Sequence, residues 1–281
     1  MSADGFPSEL FVPTHQRAKG ELSLSVRRRG DATVIEDLRQ MGCLKARFPR
    51  REHGAWAGAV TLNTSGGIAG GDALSSRIFI GDSGRLTVAA QAAERFYRAL
   101  PDAAPAHVRT RFSVGAGSSG EWLPQETILF DGCAMDRALD VDVAPDGWFL
   151  GVESLVFGRR AMGEQVRTAR VRDVIRVRRG GRLVLNDAIR LQGLISGRLE
   201  HPAVGNGARA VATLVHVAPE AGDRLEALRE ALGAFEAGAS AWDGVLVGRI
   251  VASDGAALRA AVIAGLTALR EGRPLPRVWQ C

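Results

Sequence analysis

Apolar and polar residues alternate along most of the first 218 positions, in short runs separated by glycine-rich turns. A period of two is the signature of strands that bury one face. Leu22, Leu24 and Val26 alternate with Ser23, Ser25 and Arg27, while Val108, Thr110, Phe112 and Val114 alternate with Arg109, Arg111 and Ser113. Leu139, Val141 and Val143 alternate with Asp140 and Asp142, and Ala169, Val171, Ile175 and Val177 with Arg170, Arg172, Arg176 and Arg178. Near the C-terminus the period changes. Pro219 followed by Leu225, Leu228, Leu232 and Phe235 predicts an amphipathic helix over about residues 219–237. Asp254 is a suitable N-cap for a second helix with the stripe Leu258, Ala261, Val262, Gly265, Leu266 and Leu269. Trp242 to Val251 reads as a strand between them. With no Pro/Ser-rich linker and no clean repeat, the pattern predicts one elongated, mainly-β domain over 1–281, with 1–19 a loose N-terminal segment.

Hydrophobic residues make up 46% of the chain and charged residues 24%, enough apolar surface for a core, which excludes disorder. The longest apolar or small stretch, Ala260 to Leu269, is about half of what a bilayer span needs, and Met1 to Leu10 lacks a signal-peptide pattern. The expectation is a cytoplasmic chain with no membrane partner. Cys43, Cys133 and Cys281 are distant from one another and form no C-x-x-C pair, so neither a disulfide framework nor a thiolate metal site is expected. Formal net charge is +5, carried almost wholly by arginine, since Lys19 and Lys45 are the only lysines. Arginines at every second position lie on one strand face, a solvated or partner-facing surface. Few aromatics are interleaved with them, so no nucleic-acid partner is expected.

Gly115-Ala116-Gly117-Ser118-Ser119-Gly120 satisfies G-x-G-x-x-G, but Glu121-Trp122-Leu123-Pro124 follows where a dinucleotide site needs a helix, so it reads as a turn. Gly66-Gly67-Ile68-Ala69-Gly70-Gly71-Asp72 lies between strand-like segments Ala55 to Leu62 and Ala73 to Ile80. Gly66, Gly67, Gly70 and Gly71 give that loop access to positive φ, with Asp72 as its sole ionised group. Local features favour a tight hairpin with a turn aspartate. The histidines His15, His53, His107, His201 and His216 are scattered, without ligand spacing. Carboxylates in apolar contexts are Asp72, Glu153, Glu164 and Asp187. No G-x-S-x-G elbow occurs, and nothing points to nucleophilic catalysis.

Read in order, several segments resemble the UreD (UreH) family of urease accessory proteins from about residue 20 to the end. They are Gly42-Cys43-Leu44-Lys45 with Phe48-Pro49, the Gly66 to Asp72 loop, Gln91 to Arg98, Glu121 to Glu126 with Phe130, Phe157 to Glu164, Ala237 to Ser240 and Pro276 to Trp279. Departures are Asn63-Thr64-Ser65, where many members have His-Pro-Pro, and Glu94-Arg95, where many have a Ser/Thr-Lys pair. The resemblance implies a β-helical-like stack of antiparallel and mixed strands with two C-terminal α-helices. It also implies a non-enzymatic chaperone of nickel insertion, working with a UreF-like accessory protein and a UreG-like GTPase on the urease apoprotein. No tightly bound cofactor is implied, only nickel in transit along an internal passage. Carboxylates and water hold nickel loosely enough to release it, whereas imidazole and thiolate would trap it. By position in the matching motifs, Asp72, Glu164 and Asp187 are the candidates for that path.

Overall fold

A computed structural model describes residues 16–49, 56–159 and 163–280. Residues 1–15 of the expected loose N-terminal segment lie outside the described residues, as do His53, Ala55, Met162 and Cys281. The first described elements form a hairpin, β1 (Lys19–Arg29) and β2 (Ala32–Gly42), and the chain then crosses to a second sheet with β3 (Leu44–Arg47) and β4 (Ala57–Asn63). From there it alternates between sheets. β5 (Ala73–Ile80) lies in the first, β6 (Arg85–Ala90) in the second, and a short β7 (Glu94–Phe96) precedes β8 (Ala106–Val114) in the first. β9 (Ser119–Leu123) in the second, a short β10 (Thr127–Leu129), β11 (Ala134–Val143) in the first and β12 (Trp148–Phe157) in the second follow. A hairpin of β13 (Thr168–Arg179) and β14 (Arg182–Leu194) closes the first sheet.

The result is a right-through winding in which each coil supplies one strand to each sheet. β1, β5, β8, β11 and β13 run parallel, with antiparallel hairpins at both edges. Parallel register stacks like positions, so Leu24, Ile78, Phe112, Val141 and Val177 form one inward ladder. Their burial is nearly complete, at 4% exposure or less. The tight β13–β14 turn depends on Gly180 and Gly181, at φ of 56° and 78°, because both central residues of such a hairpin need positive φ. This winding is the β-helical-like stack that the resemblance implies.

Beyond the coils, α1 (Ser196–Glu200) leads to β15 (Ala210–Val217), α2 (Leu225–Leu232), the hairpin β16 (Ala237–Trp242) and β17 (Val245–Ala252), and α3 (Gly255–Leu269). β12, β15, β17 and β16 extend the second sheet antiparallel. Its outer face is covered by α2 and α3, whose Leu228, Leu232, Leu258, Val262 and Leu266 meet Leu150, Val152, Leu214 and Ile250. Asp254 caps α3 as expected, accepting from the backbone N–H groups of Ala256 and Ala257 at 2.9 Å.

Two expectations change. The helix expected over 219–237 is a 3-10 turn, Ala221–Arg224, followed by α2, and the chain leaves it at Gly233 because Ala237 is already committed to the ladder opposite Ile250. The Gly66 to Asp72 loop is no hairpin: β4 and β5 belong to different sheets, so the loop carries the chain across the coil.

The two faces of the first sheet should respond oppositely to truncation. Phe112→Ala, in the inward ladder, lowers unfolding free energy by about 3–5 kcal/mol, whereas Phe79→Ala on the outer face costs less than about 0.5 kcal/mol. Denaturant melts of the two variants check this, and equal losses would refute the assignment of faces.

Candidate functional site

Alternation also puts polar groups inside. On β11, Arg137 shares the inward face with Leu139 and Val141, and its parallel partner on β13 is Asp173. Arg137 donates Nε to Asp173 Oδ1 at 2.8 Å, Nη2 to Asp173 Oδ2 at 2.6 Å and Nη1 to Thr127 Oγ1 at 2.9 Å. Across the coil, Glu153 of β12 brings Oε2 to 2.6 Å from Arg137 Nη1, and Trp122 Nε1 donates to its Oε1 at 2.9 Å. Glu153 Oε2 has close charge contact but no aligned donor among the described residues. Burial pushes the Glu153 carboxyl up, against the pull of Arg137, and Arg137 itself is held firmly charged despite burial by Asp173 and Glu153.

These groups face a cavity of about 250 Å³. Its rim is made by Asn63, Gly66, Gly67, Ile68 and Glu94, and its inner wall by Trp122, Thr127, Arg137 and Glu153. Glu94 takes Asn63 Nδ2 at 3.2 and 3.3 Å, and burial pushes its carboxyl up against that hydrogen bond. Arg95 next to it is exposed. The lining therefore holds two carboxylates, Glu94 and Glu153, with the guanidinium of Arg137, whose bidentate partner Asp173 is not part of it. Carboxylate oxygens in space roomy enough for several waters suit a cation bound through oxygen.

The loop at the rim is held by Asp72. Its Oδ1 accepts from Ala18 N and its Oδ2 from Ala69 N, both at 2.8 Å, and the residue is 5% exposed. Gly67, at φ of 147°, is needed for close approach, since a Cβ there would lie 2.3 Å from Tyr97. Ile68 and Tyr97 exchange backbone bonds with the β7 segment: Ile68 N donates to Arg95 O at 2.7 Å and Tyr97 N to Ile68 O at 2.8 Å. Glu164 accepts from Arg159 Nε at 2.9 Å, and Asp187 takes Arg249 Nη2 at 2.7 Å. Asp72, Glu164 and Asp187 thus each have a separate partner, are not brought together, and do not line the cavity. Among the described residues no three His, Cys, Asp or Glu side chains form a metal-holding group.

Sequence reasoning singled out Glu153 as a carboxylate in an apolar run but did not carry it into the path, and it passed over Glu94. The available signal for Glu94 was its place in the Gln91 to Arg98 segment. The Gly115 to Gly120 fingerprint is a turn, with Ala116 N bonded to Asp82 and Gly117 N to Asp146, both at 3.1 Å.

Several resemblance-carrying segments meet around this site. Trp279 Nε1 donates to Leu123 O at 3.1 Å and Gln125 Nε2 to Val278 O at 2.9 Å, joining the Glu121 to Glu126 and Pro276 to Trp279 segments.

Burial of Glu94 has a sign that titration can read. Its folded value lies above its unfolded one, so ionising it costs stability as pH rises through the folded value. Glu94→Gln, which keeps an acceptor for Asn63, should match the wild type below the unfolded carboxylate value, near about pH 4, and exceed it at higher pH, the gap levelling off once the folded value is passed, in thermal unfolding. A gap that is constant with pH would place Glu94 in water.

Comparison with known proteins gives a consistent result. The profile of a family described as UreD urease accessory protein matches residues 18–280. A protein of Methylobacterium sp. (strain 4-46) named urease accessory protein UreD is 44% identical, with all of both chains covered. Urease accessory protein UreD 3 of Bradyrhizobium sp. (strain BTAi1 / ATCC BAA-1182) is 41% identical over 99% of each chain. Urease accessory protein UreD of Azorhizobium caulinodans is 41% identical over 95% of this chain and 98% of its own.

Proposed function

The chain belongs to the UreD urease accessory protein family, and on that premise we propose that it is a non-catalytic chaperone through whose interior nickel passes on its way into urease. A role in urease maturation comes with the family. The observation that carries the finer reading is the cavity whose lining brings Glu94 and Glu153 together with Arg137. Nickel is cargo here. Glu94 receives the ion at the rim, and Glu153, whose Oε2 lacks an aligned donor, is the next oxygen inward.

Oxygen ligation suits transit, because carboxylate and water bind nickel more weakly than imidazole or thiolate and let it leave. Cys43 near the rim is kept protonated by burial and does not compete as a thiolate. Asp72 acts at one remove, by fixing the loop that shapes the rim. Asp187 is tied to Arg249 and Glu164 to Arg159, and these pairs hold β14 against β17 and the turn after β12.

The working assembly in this proposal is a cytoplasmic complex with a UreF-like protein and a UreG-like GTPase docked on the urease apoprotein. No helix among the described residues is long and apolar enough to cross a membrane.

The test is nickel per urease active site in cells carrying Glu94→Gln, Glu153→Gln or Asp187→Ala, with co-purification of the complex measured in parallel. The first two should cut loading about tenfold while the complex forms normally, and Asp187→Ala should change it little. Normal loading with both glutamine variants would overturn the cavity as the path. Loss of loading together with the complex would make both glutamates structural.

A further inference from the structure

The outer face of the first sheet, away from the cavity, carries its own signal. From β5 to β14 that face presents eight arginines (77, 109, 111, 170, 172, 176, 178 and 190) against three aspartates (136, 140 and 142). The excess of five equals the formal net charge of the whole chain, +5. Half of these arginines are neutralised locally or tied to backbone. Asp136 takes Arg109 at 2.8 Å and Arg172 at 2.9 Å, Asp140 takes Arg176 at 2.6 Å, and Arg170 donates to Ala103 O at 2.6 Å. Arg77, Arg111, Arg178 and Arg190 have no partner among the described residues.

Two of the four are neighbours. Arg77 on β5 is in register with Arg111 on β8, so like charges stand side by side on adjacent strands, about 5 Å apart at the backbone. Arg111 is also in register with Asp140 on β11, but both Asp140 oxygens are taken by Arg176, so the two neighbouring guanidinium groups keep capacity for a further anion. Phe79, two residues along the same face, is 50% exposed. Around these three side chains the floor is small: Ser23 and Ser25 on β1, Ser75 on β5 and Ser113 on β8. An exposed aromatic and paired arginines standing above serines are the makings of an interface centre, because aromatic and arginine side chains are the enriched anchors there and small neighbours let the partner approach.

We propose that this face is a docking surface for an acidic protein partner, with Phe79 as its apolar anchor and Arg77 and Arg111 taking one or two partner carboxylates. The five strands from β5 to β14 span about 20 Å, the scale of a protein interface rather than of a single bound ion. Carboxylates bound the patch on either side, Asp140 and Asp142 on β11 and Glu36 on β2, where Glu36 accepts from Ser25. They would repel a continuous phosphate backbone, but a protein surface of mixed charge can thread between them. At the far corner, a groove of about 500 Å³ includes Arg170, Arg172, Arg190 and Arg198 and offers room for an acidic segment continuing from the same partner.

The inference rests on the maturation reading only for its choice of probes. The urease apoprotein, the UreF-like protein and the UreG-like GTPase are each offered to the full chain, co-expressed in its complex, alongside a duplex DNA of about 20 base pairs. Arg77→Glu with Arg111→Glu should weaken association with one of the three proteins by about thirtyfold near 50 mM salt, with the difference shrinking toward about 500 mM. Phe79→Ala should weaken the same association by about tenfold at either salt. Arg77→Ser with Arg111→Ser, matched to the surrounding floor, guards against misfolding and should give an intermediate loss at an unchanged melting temperature. Unaltered binding of all three proteins by both double variants would overturn the face while leaving the maturation reading intact. Failure of the wild type to bind any of them would overturn both. DNA binding as tight as protein binding, and abolished by the double charge reversal, would overturn the acidic-protein assignment in favour of nucleic acid.

Discussion

The strict inward–outward alternation of parallel strands wound in register is the constraint on which everything else here depends. A coil that gives one strand to each sheet has a single interior, and any residue at an inward position must be apolar or be matched by another inward group. Leu24, Ile78, Phe112, Val141 and Val177 meet the first condition. Arg137 meets the second, because register sets Asp173 beside it and the opposite sheet sets Glu153 before it. Removing one member of such a set would leave an uncompensated buried charge, typically costing about 3–5 kcal/mol.

The same rule organises the exterior. What the inner face receives in leucine and valine, the outer face of the first sheet receives in arginine, serine and aspartate, one residue later in each strand. The outer face of the second sheet is different, because α2, α3 and the C-terminal segment lie on it. There Glu121, fully buried, is held by Arg270 at 2.9 and 3.0 Å and by Thr87 at 2.6 Å. Among the described residues, the second sheet is thus covered by the chain's own helices, while no helix packs on the outer face of the first.

Much of this fold was legible because period-two alternation is local. Strand faces, the arginine-bearing side of β13 and the Asp254 cap all follow from residues within a few positions of one another. Coil pairing is not local. The first-sheet strands β5, β8, β11 and β13 begin at residues 73, 106, 134 and 168, spacings too uneven to register as a repeat. For the same reason the Gly66 to Asp72 loop looked like a hairpin: its glycines fit either a tight turn or a crossing, and only the destination of β5 distinguishes them.

Site residues were harder to read, for a reason that Asp72 and Glu153 illustrate together. A carboxylate in a glycine-rich loop attracts notice, yet nearby backbone N–H groups are there to satisfy it, and both Asp72 oxygens are used in that way. A carboxylate in the middle of an apolar strand has no such local recourse, since its neighbours' N–H groups are committed to the ladder. It must find its partner across the fold, and the partner's geometry decides whether any acceptor capacity is left over. For Glu153 some is: Trp122 satisfies Oε1, while Oε2 has the charge of Arg137 nearby without an aligned donor. Residual acceptor capacity inside a chamber is what the proposed passage requires, so a carboxylate in a strand interior bears on that proposal more directly than one whose oxygens are both spent on its own loop.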